Sequence, residues 1–573
     1  MSAAGTIYFG GDVLSLAGDS QDGDPVQAVA IGDGKIVKTG PKIEVIRQLP
    51  NFAQVDLNGR TLVPGFFDPH THLGSVMMTL GTVNLRCPPL GVVDSVEKLQ
   101  AKLKTYIGKC NNLNSSDWIV GTDYDHTAFA DKQHPTKYDI DKVSPPGVPV
   151  ALFHCTYHFM TVNSEALTRV GIRPETPNPE GGKYVRLGDS SEPSGVIEER
   201  AIDEIIKHIP DHNSGFTLEN YYKALALYAS HGVTTTQEPS NMAQSIYDVL
   251  QPATDLTDPP VDTILFPRFK QTPHVFDNNP SKVDTSNSAD MYTKFRPGVR
   301  MGGVKEFLDG SFQGGTAYTT QPYYRNPDGS RKPHFGYPIY DDDAKLEHIV
   351  QMCFQKRWQF LAHCNGDAAA DQLISVVRKI RQYASEHPDE FCADWVQNHR
   401  TTIIHGQILR PDQLDAMKAL GIAVSFFTNH IYFWGDKHAS EYVGPERAQR
   451  VNPVNTARSK GVRFTIHNDA TVTPISIIDV IHNAVNRRTI SGCVLGTPES
   501  LPAIEALKAV TKYAAYQHFE DASKGTIEIG KLADLTILSE NPLKVNPQLI
   551  NRVRVIQTLR RGVTTFIADS GTS

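Results

Sequence analysis

The sequence contains few cysteines and shows no pairing pattern among them. Its seven cysteines are scattered and odd in number, and no Cys-x-x-Cys occurs. This usage argues against a disulfide-stabilised secreted domain and against a zinc ribbon, and it is typical of a reduced intracellular protein. The first residues lack a basic segment followed by an apolar core, so they do not predict a signal peptide. We therefore expect a cytoplasmic protein.

Long apolar runs and a charge bias of either sign are also missing. No stretch of about 18 apolar residues occurs, so the sequence predicts no transmembrane helix. The formal net charge is −7 over 573 residues, with acidic and basic side chains mixed along the chain. Nothing in this pattern indicates a nucleic acid or an anionic membrane as a partner. We expect a small-molecule substrate instead, and the sequence leaves open whether the chain forms a homo-oligomer.

Apolar residues are plentiful, and β-strand patterns occur at both ends of the chain. Hydrophobic residues make up 40% of the sequence, which is ample for a large core. The stretch Gly32-Asp33-Gly34-Lys35 predicts a tight hairpin, because Asp and Gly tolerate the positive φ of its turn. The few strands at either end cannot form a stable domain alone. We therefore predict a small composite β-sandwich domain from residues 1–62 and 526–573, with the rest of the chain inserted between them.

From about residue 217, short apolar strands alternate with helical patterns. Together with a strand that ends at His70, seven further strands make eight strand–helix units, which is typical of a (β/α)8 TIM barrel. We predict an α/β fold in which the barrel comprises residues 63–84 and 216–525, and residues 85–215 form a long insertion or cap after strand 1. The seven further predicted strands are Val233–Gln237, Thr263–Arg268, Gly303–Phe307, Gln359–His363, Thr401–His405, Ile422–Phe426 and Val462–His467.

Residues of metal-ligating types recur where the predicted barrel strands end. His70 and His72 follow the first strand at positions i and i+2, so both imidazoles project to the same side. Two imidazoles on one side of a point form half of a metal site. Active sites of such barrels lie at the carboxyl ends of the strands, where further candidates stand. These further candidates are Lys305, His363, His405 and Asp469.

Each candidate also has an ordinary structural explanation. A single buried histidine is usually a hydrogen-bonded core residue, and Lys305 could be an inward-facing lysine paired with Asp309. Four strand-end histidines and an aspartate at one mouth are much harder to explain in this way. His430, which follows the seventh strand, is either a group that polarises a carbonyl or a plain loop histidine. Four more side chains are candidates for lining the pocket, with ordinary packing as the alternative: Tyr318, Arg86, His154 and His158.

Five short stretches carry a family pattern. They are Pro64–His72, Val304–Ser311, Ala362–Ala368, Gly530–Leu535, and the set Pro149-Val150, His158 and Asn163–Leu167 in the insertion. On these motifs, and over nearly its whole length, the chain resembles the amidohydrolase superfamily of metal-dependent hydrolases. Within that superfamily it is most similar to the branch that includes N-substituted formamide deformylase.

The resemblance implies a divalent metal site at these strand ends. By this resemblance, His70 and His72 are ligands of the more buried ion, and His363 and His405 are ligands of a second ion. Asp469 resembles the aspartate that holds the nucleophilic water. The mixture of nitrogen and oxygen ligands suits zinc first, with manganese, iron, cobalt or nickel as alternatives. The choice between one ion and two per chain is left open.

Lys305 resembles the strand-4 lysine that some relatives carboxylate with CO₂ to make a bridging ligand. A free ammonium would repel a dication, so Lys305 is expected to be either N6-carboxylated or turned away. Two positions depart from the family pattern. Relatives often have Glu-His where this chain has Ile404-His405, and Gly-Ser-Asp where it has His467-Asn468-Asp469. Such changes alter the hydrogen bonds that orient metal ligands.

The expected function is that of an amidohydrolase that cleaves a carbon–nitrogen bond other than a peptide bond, in an N-acyl or N-formyl amine or a cyclic amide. In this interpretation a metal-activated hydroxide attacks the carbonyl, Asp469 acts as general base and then acid, and a metal or His430 stabilises the oxyanion. The same site could serve a deaminase, a deacetylase or an isomerase. A non-catalytic assembly protein would have lost ligands, whereas every ligand position is filled here.

Overall fold

The computed structural model describes residues 5–88, 90–110, 117–155, 159–179, 182–199, 201–210, 215–254, 256–276, 298–326 and 331–569. The chain divides into two compact units. The first unit comprises Met1–Leu73, Leu225–Thr471 and Ile475–Ser573, and the second comprises Gly74–Ala224 and Val472–Pro474. His158, a candidate pocket residue, lies outside the described residues.

One mixed sheet in the first unit contains strands from both ends of the chain. In spatial order its strands are Val563–Ile567, Val555–Arg560, Leu535–Leu538, Thr61–Pro64, Thr6–Leu14, Pro25–Gly32 and Lys35–Gly40, and Ala53–Asp56 pairs with Thr6–Leu14. The predicted hairpin is confirmed, because Gly32 pairs with Lys35 and the turn residues Asp33 and Gly34 have φ angles of 49° and 73°. A two-residue turn of this kind requires positive φ at both of its residues.

Two parallel sheets in the same unit carry the strand ends where the candidate site residues lie. The first contains, in spatial order, Val299–Met301, Asp262–Phe266, Val233–Pro239 and Phe66–Phe67. The second contains Gly303–Phe307, Gln359–Cys364, Thr402–His405, Ala423–Phe426 and Phe464–Ile466. Every neighbouring pair within each sheet is parallel. Each sheet therefore presents the carboxyl ends of all its strands along one edge, which is where ligands bind in α/β proteins.

A single residue, Gly302, separates the end of one parallel sheet from the start of the other. The strand before it pairs with Asp262–Phe266, and the strand after it pairs with Gln359–Cys364. A Cβ atom at residue 302 would lie 2.2 Å from the Phe266 ring, so the backbone can pass here only because residue 302 is glycine. The strand Val299–Met301 was not predicted, because three residues next to glycine are too few to show a strand pattern.

Helices alternate with the parallel strands of the first unit, as the sequence pattern predicted. Pro411–Leu420 shows why the ends fall where they do: it has a proline in its first turn and stops at Gly421, whose φ is 74°. Among the described residues, the other α-helices of this unit are Lys42–Gln48, Asn241–Leu250, Thr272–Phe276, Asp343–Lys356, Asp367–Glu386, Ala393–Gln397, Asn429–Lys437, Gly444–Ala448, Val454–Ser459, Ile477–Asn486, Ala503–Ala509 and Lys512–Gln517. Leu73–Gly81 and Leu218–Ser230 contain residues of both units. No helix among the described residues combines the length and the apolar character needed to cross a bilayer.

The second unit has its own sheet. In spatial order the strands are Gly182–Arg186, Pro193–Glu199, Phe159–Val162, Val150–His154, Ile119–Tyr124 and Val83–Asn84. The α-helices in the described part of this unit are Val96–Ile107, Lys137–Asp141, Ser164–Val170 and Ala201–Ile206. Alternate residues of the central strand Val150–His154 belong to different hydrophobic clusters. Ala151 and Phe153 belong to one cluster, and Val150 and Leu152 belong to the other. Because side chains alternate across a strand, apolar packing covers this sheet on both faces.

Candidate metal and catalytic site

The two histidines after the strand Phe66–Phe67 lie against Asp469. The distance from Asp469 Oδ1 is 3.8 Å to His70 Nε2 and 3.4 Å to His72 Nε2. His70 and Asp469 are buried, whereas the His72 side chain is 23% exposed. The backbone locks this contact in place, because Asp469 N–H donates to the His70 carbonyl at 3.2 Å and His72 N–H donates to the Ala470 carbonyl at 2.9 Å.

His405 and His363 complete the group from the neighbouring parallel strands. His405 Nδ1 lies 3.9 Å from Asp469 Oδ2, and one donor atom from each of His70, His405 and Asp469 falls within 4.8 Å of the others. His405 Nε2 lies 3.2 Å from His363 Nδ1. The structure thus brings together five of the residues singled out in the sequence. We call this set the barrel cluster: His70, His72, His363, His405 and Asp469.

Backbone strain accompanies two members of this cluster. His405 has a φ of 80° and Asp469 a φ of 55°, which is the left-handed region that non-glycine residues rarely adopt. Such conformations cost about 1–3 kcal/mol each and are concentrated at functional sites, where the surrounding structure holds them. Both residues stand at the carboxyl ends of parallel strands. The strained backbone conformations therefore occur at the edge of the sheet where ligands bind.

Lys305 lies fully buried within the strand Gly303–Phe307. Its Nζ has no hydrogen-bond partner among the described residues and sits 4.8 Å over the Phe307 ring. Burial lowers the pKa of Lys305 to about 7, although the charge of Asp469 opposes that change. The positive charge of Lys305 in turn helps to lower the pKa of His70 and His363, which puts the lysine within electrostatic reach of the barrel cluster.

The alternative pairing of Lys305 with Asp309 is wrong. The Asp309 carboxylate is buried, and burial raises its pKa to about 7. It is held by the backbone N–H groups of Tyr318 at 3.0 Å, Asn365 at 2.9 Å and Gly366 at 2.7 Å. These amides come from two loops that wrap around the carboxylate, so Asp309 organises the chain beside His363 rather than neutralising the lysine.

Three histidines of the barrel cluster, His70, His363 and His405, are neutral at physiological pH. Burial lowers the pKa of His70 and of His405 well below the usual range, and it lowers the pKa of His363 to about 3. Burial also raises the pKa of Asp469, and the charges of His72 and Lys305 oppose that change. A neutral imidazole is the form that binds a metal ion. These three imidazoles are therefore in the state that a cation requires.

Two buried atoms at the centre of the cluster have no hydrogen bond. His70 Nε2 and Asp469 Oδ1 lack a partner among the described residues, and their separation of 3.8 Å is too long for a hydrogen bond between them. Leaving a buried polar atom unsatisfied costs about 1–3 kcal/mol. Imidazole nitrogens and a carboxylate oxygen at this spacing form the donor set of a divalent transition-metal site, so the residues fit the ion that the sequence predicted.

Gln237 orients His70, and sequence reasoning missed it. Gln237 Nε2 donates to the Pro69 carbonyl at 3.0 Å, which leaves its Oε1 to accept from His70 Nδ1 at 2.9 Å. Because Nδ1 carries the proton, the lone pair on Nε2 points toward Asp469. Partners of this kind fix the tautomer and the orientation of a metal ligand. The available signal was the position of Gln237 near the carboxyl end of the second parallel strand.

Two more residues near the cluster were not predicted as members of the site. Glu238, which is fully buried, places Oε1 3.8 Å from His72 Nδ1. His467 Nε2 lies 3.2 Å from His405 Nδ1, and its Nδ1 is 2.8 Å from Ser425 Oγ. His467 occupies the position at which relatives often carry glycine, so this departure from the family pattern adds a ring that contacts a proposed ligand.

His430 lies at the edge of the barrel cluster. It is buried near the start of the helix Asn429–Lys437, with its ring centroid 6.0 Å from that of His405 and 4.3 Å from that of Phe427. Its Nδ1 has no hydrogen-bond partner among the described residues. Burial keeps the pKa of His430 well below the usual range, so the ring is neutral.

The remaining candidate pocket residues are placed differently. Tyr318 contributes its backbone, because its N–H holds Asp309. Arg86 and His154 belong to the second unit, where Arg86 Nε donates to Asp123 at 3.3 Å and His154 lies against Asp125.

Comparison with known proteins identifies the family. Residues 53–566 match the model of the amidohydrolase family. The chain is 25% identical to a putative amidohydrolase, YtcJ, of Bacillus subtilis over 97% of this chain and 98% of that protein. It is also 25% identical to N-substituted formamide deformylase of Arthrobacter pascens, over 94% of this chain and 95% of the relative.

A solved structure has the same fold. The metal-dependent hydrolase from Pyrococcus horikoshii superposes with a TM-score of 0.71 at 22% identity, covering 95% of this chain and 99% of that one. The family match spans most of the sequence, including every strand of the two parallel sheets and every member of the barrel cluster. The chain therefore belongs to the amidohydrolase family and has an α/β fold shared with metal-dependent hydrolases.

Proposed function

We propose that this protein is a metal-dependent hydrolase that cleaves a carbon–nitrogen bond of amide type in a small molecule. The observation that carries the proposal is the pair of buried atoms His70 Nε2 and Asp469 Oδ1, which have no hydrogen bond among the described residues and lie beside the neutral imidazoles of His363 and His405. The relative named for deformylating N-substituted formamides supports N-formyl and N-acyl amines as the first substrate class to test. Cyclic amides are the second class, because their hydrolysis breaks the same type of bond.

We further propose that the two parallel sheets close into one (β/α)8 barrel, in which Val299–Met301 and Gly303–Phe307 are two segments of a single strand interrupted at Gly302. Closure on one side is supported by Gly302, because this single residue connects Val299–Met301 of the first sheet to Gly303–Phe307 of the second. Hydrogen bonds between Asp469 N–H and the His70 carbonyl, and between Asn468 N–H and Asp68 Oδ1, support it on the other side. In this proposal residues 1–62 and 526–573 form the composite β-domain and residues 85–215 form the cap.

The barrel cluster would hold the cation. His70 and His72 would be ligands of one ion, His363 and His405 of a second, and Asp469 lies close enough to His70, His72 and His405 to share in either. Zinc is the first expectation for this mixture of imidazole and carboxylate donors. A divalent cation bound there would polarise a substrate carbonyl and lower the pKa of water from about 15.7 to near 7.

Asp469 would transfer the proton in the reaction, and His430 would stabilise the negative charge that develops on the substrate oxygen. Asp469 is a buried carboxylate at the centre of the cluster, where it can take a proton from the attacking water and return it to the leaving nitrogen. His430 is neutral, and its Nδ1 has no partner in the part of the chain that the structure describes, so an N–H of its ring can donate to the oxyanion that develops on the carbonyl oxygen. Burial of both groups strengthens these interactions, because the local dielectric is low.

The test is a substrate screen on protein of known metal content. N-formyl amines, N-acyl amines and cyclic amides would be assayed by release of the amine or the carboxylate, with small esters as a comparison class. We expect turnover of at least one amide class, and loss of that turnover in Asp469→Asn. Turnover that is equal in wild type and Asp469→Asn, or activity confined to esters, would contradict the proposal.

A further inference from the structure

A second group of metal-ligating side chains lies in the second unit, at the end of two neighbouring strands. Ile119–Tyr124 and Val150–His154 are parallel, and Tyr124 is paired with His154. The chain continues in register beyond them, because Cys155 N–H donates to the Tyr124 carbonyl at 2.9 Å. Neighbouring parallel strands bring the residues after their carboxyl ends to one edge, so Asp125 and His126 lie beside His154 and Cys155.

The donor atoms of this group are close to one another. One atom from each of Asp125, His154 and Cys155 lies within 4.8 Å of the other two. His154 Nε2 is 3.6 Å from Asp125 Oδ1 and 3.9 Å from Cys155 Sγ. His126 adds a second imidazole, with Nδ1 3.1 Å from His154 Nε2. Tetrahedral coordination at bond lengths of about 2.0–2.3 Å separates imidazole, carboxylate and thiolate donors by about 3.3–3.6 Å, which is close to the three separations measured from His154.

Neighbouring side chains hold the imidazoles in position. His134 stacks on His126 with ring centroids 3.7 Å apart and an interplanar angle of 22°. Tyr124 OH lies 2.8 Å from His134 Nδ1 and 2.9 Å from Thr161 Oγ1, which links the stacked ring to the next strand. Outer contacts of this kind orient metal ligands and raise metal affinity.

We propose that Asp125, His154 and Cys155 form a second metal site, with His126 as the fourth donor. The combination of thiolate, imidazole and carboxylate favours a zinc-class transition ion over magnesium or calcium. Binding would form a bond from Cys155 sulfur to the metal and release the thiol proton to solvent. The ion would join the ends of two strands and so stabilise the second unit. The proposal of this second metal site is independent of the proposed hydrolytic function, because every ligand of the site belongs to the second unit.

Cobalt substitution distinguishes this site from the barrel cluster. The proposed barrel ligands include no cysteine, so a thiolate-to-cobalt charge-transfer band would report the second site alone. Metal-free full-length protein would be titrated with Co²⁺, and bound metal would be counted in parallel. We expect the band in wild type and in His70→Ala. We expect Cys155→Ser to lose the band together with about one equivalent of metal per chain.

Two further variants complete the test. Cys493→Ser, at another exposed cysteine, should keep the band. His154→Gln should lose it while circular dichroism shows that the protein remains folded. A band that persists in Cys155→Ser, or a wild-type protein that shows no band and whose metal content is the same as that of Cys155→Ser, would overturn the proposal and leave an ordinary hydrogen-bonded polar cluster.

Discussion

His70 Nε2 faces Asp469 Oδ1 across 3.8 Å, and both atoms are buried without a hydrogen bond among the described residues. Gln237 causes this orientation, because its Oε1 accepts a hydrogen bond from the other ring nitrogen, His70 Nδ1, at 2.9 Å. Leaving buried polar atoms unsatisfied costs free energy, so we propose that the arrangement serves to bind a cation, and imperfect packing is the alternative explanation. Substitutions at these three residues separate the two explanations.

Replacing Asp469 by asparagine should separate catalysis from metal binding. The histidines remain, so bound metal should persist, whereas loss of the general base should lower kcat/KM at least about 100-fold. Metal analysis and steady-state kinetics on the same sample measure both quantities. Asp389→Asn, at an exposed aspartate, is the control and should behave as wild type. Full activity in Asp469→Asn would remove this residue from the mechanism.

Replacing His70 by alanine should reduce the metal content of the barrel cluster. His70 supplies a buried neutral imidazole at the centre of the donor set, and no other described nitrogen takes its place beside Gln237. Metal per chain would be measured after dialysis at equal free zinc. His387→Ala, at an exposed histidine, should retain the full content. Unchanged metal content in His70→Ala would reject the site.

Gln237 should act as a positioning residue for the metal. In Gln237→Leu the His70 ring loses its acceptor, so the affinity for zinc should fall about 10–100-fold. Gln237→Glu keeps an acceptor for His70 Nδ1 and should recover part of that loss. Competition with a chromophoric chelator gives the dissociation constants. Equal zinc affinity in wild type and both variants would show that the hydrogen bond does not orient a ligand.

Lys305 should react with CO₂ at neutral pH. Its pKa of about 7 leaves a large share of neutral amine, which can attack CO₂, form a nitrogen–carbon bond and lose a proton to give an anionic carbamate. Removing dissolved CO₂ should then lower metal content and activity, and bicarbonate should restore both. Lys305→Met should not respond to bicarbonate. A wild-type protein that is indifferent to bicarbonate would contradict carboxylation.

His399 should make the stability of the first unit depend on pH. This buried residue accepts from Thr401 N–H and lies 3.0 Å from the Leu420 carbonyl, and burial lowers its pKa to about 4. The unfolded chain, with a pKa near about 6.5, binds more protons between those values, so stability falls as pH drops from about 6.5 to about 4, by at most about 3 kcal/mol.

Urea unfolding at pH 7 and pH 4.5 measures this effect. His399→Gln cannot titrate and can still donate to the Leu420 carbonyl, so it should lose less free energy of unfolding than wild type over this pH range. His387→Gln, at the exposed histidine, should follow wild type. An equal pH-dependent loss in wild type and His399→Gln would show that another group governs this part of the profile.

Much of the site's location could be predicted because strand ends are visible in sequence. An apolar run that stops at a histidine marks a carboxyl end, and parallel strands bring such ends to one edge. This logic applies to His70, His363 and His405, which the structure places in one cluster. Gln237 and Glu238 could not be predicted in this way, because the sequence does not show whether a polar residue at the end of a strand faces a ligand or a loop. Gln237 acquires meaning only through His70, which is 167 residues away.

Lys305 and Asp309 show a second limit of the sequence. Their closeness in sequence left an ion pair open as the ordinary alternative, but the tertiary structure assigns Asp309 to backbone amides of Asn365 and Gly366. Those amides lie more than fifty residues further along the chain, so the local sequence around Asp309 does not predict these hydrogen bonds. Lys305 is consequently left without a hydrogen-bond partner among the described residues, which makes it available for chemistry.

The sequence by itself determined which residue types stand at the strand ends, because periodic apolar burial dictates strands and residues two apart share a face. It also determined the hairpin at Asp33-Gly34, since local φ preferences decide such turns. Only the tertiary structure decided which atoms face one another, which imidazole nitrogen carries the proton and which carboxylates are already satisfied. Those outcomes depend on hydrogen bonds between distant segments in a buried setting, and a pattern along the chain does not contain them.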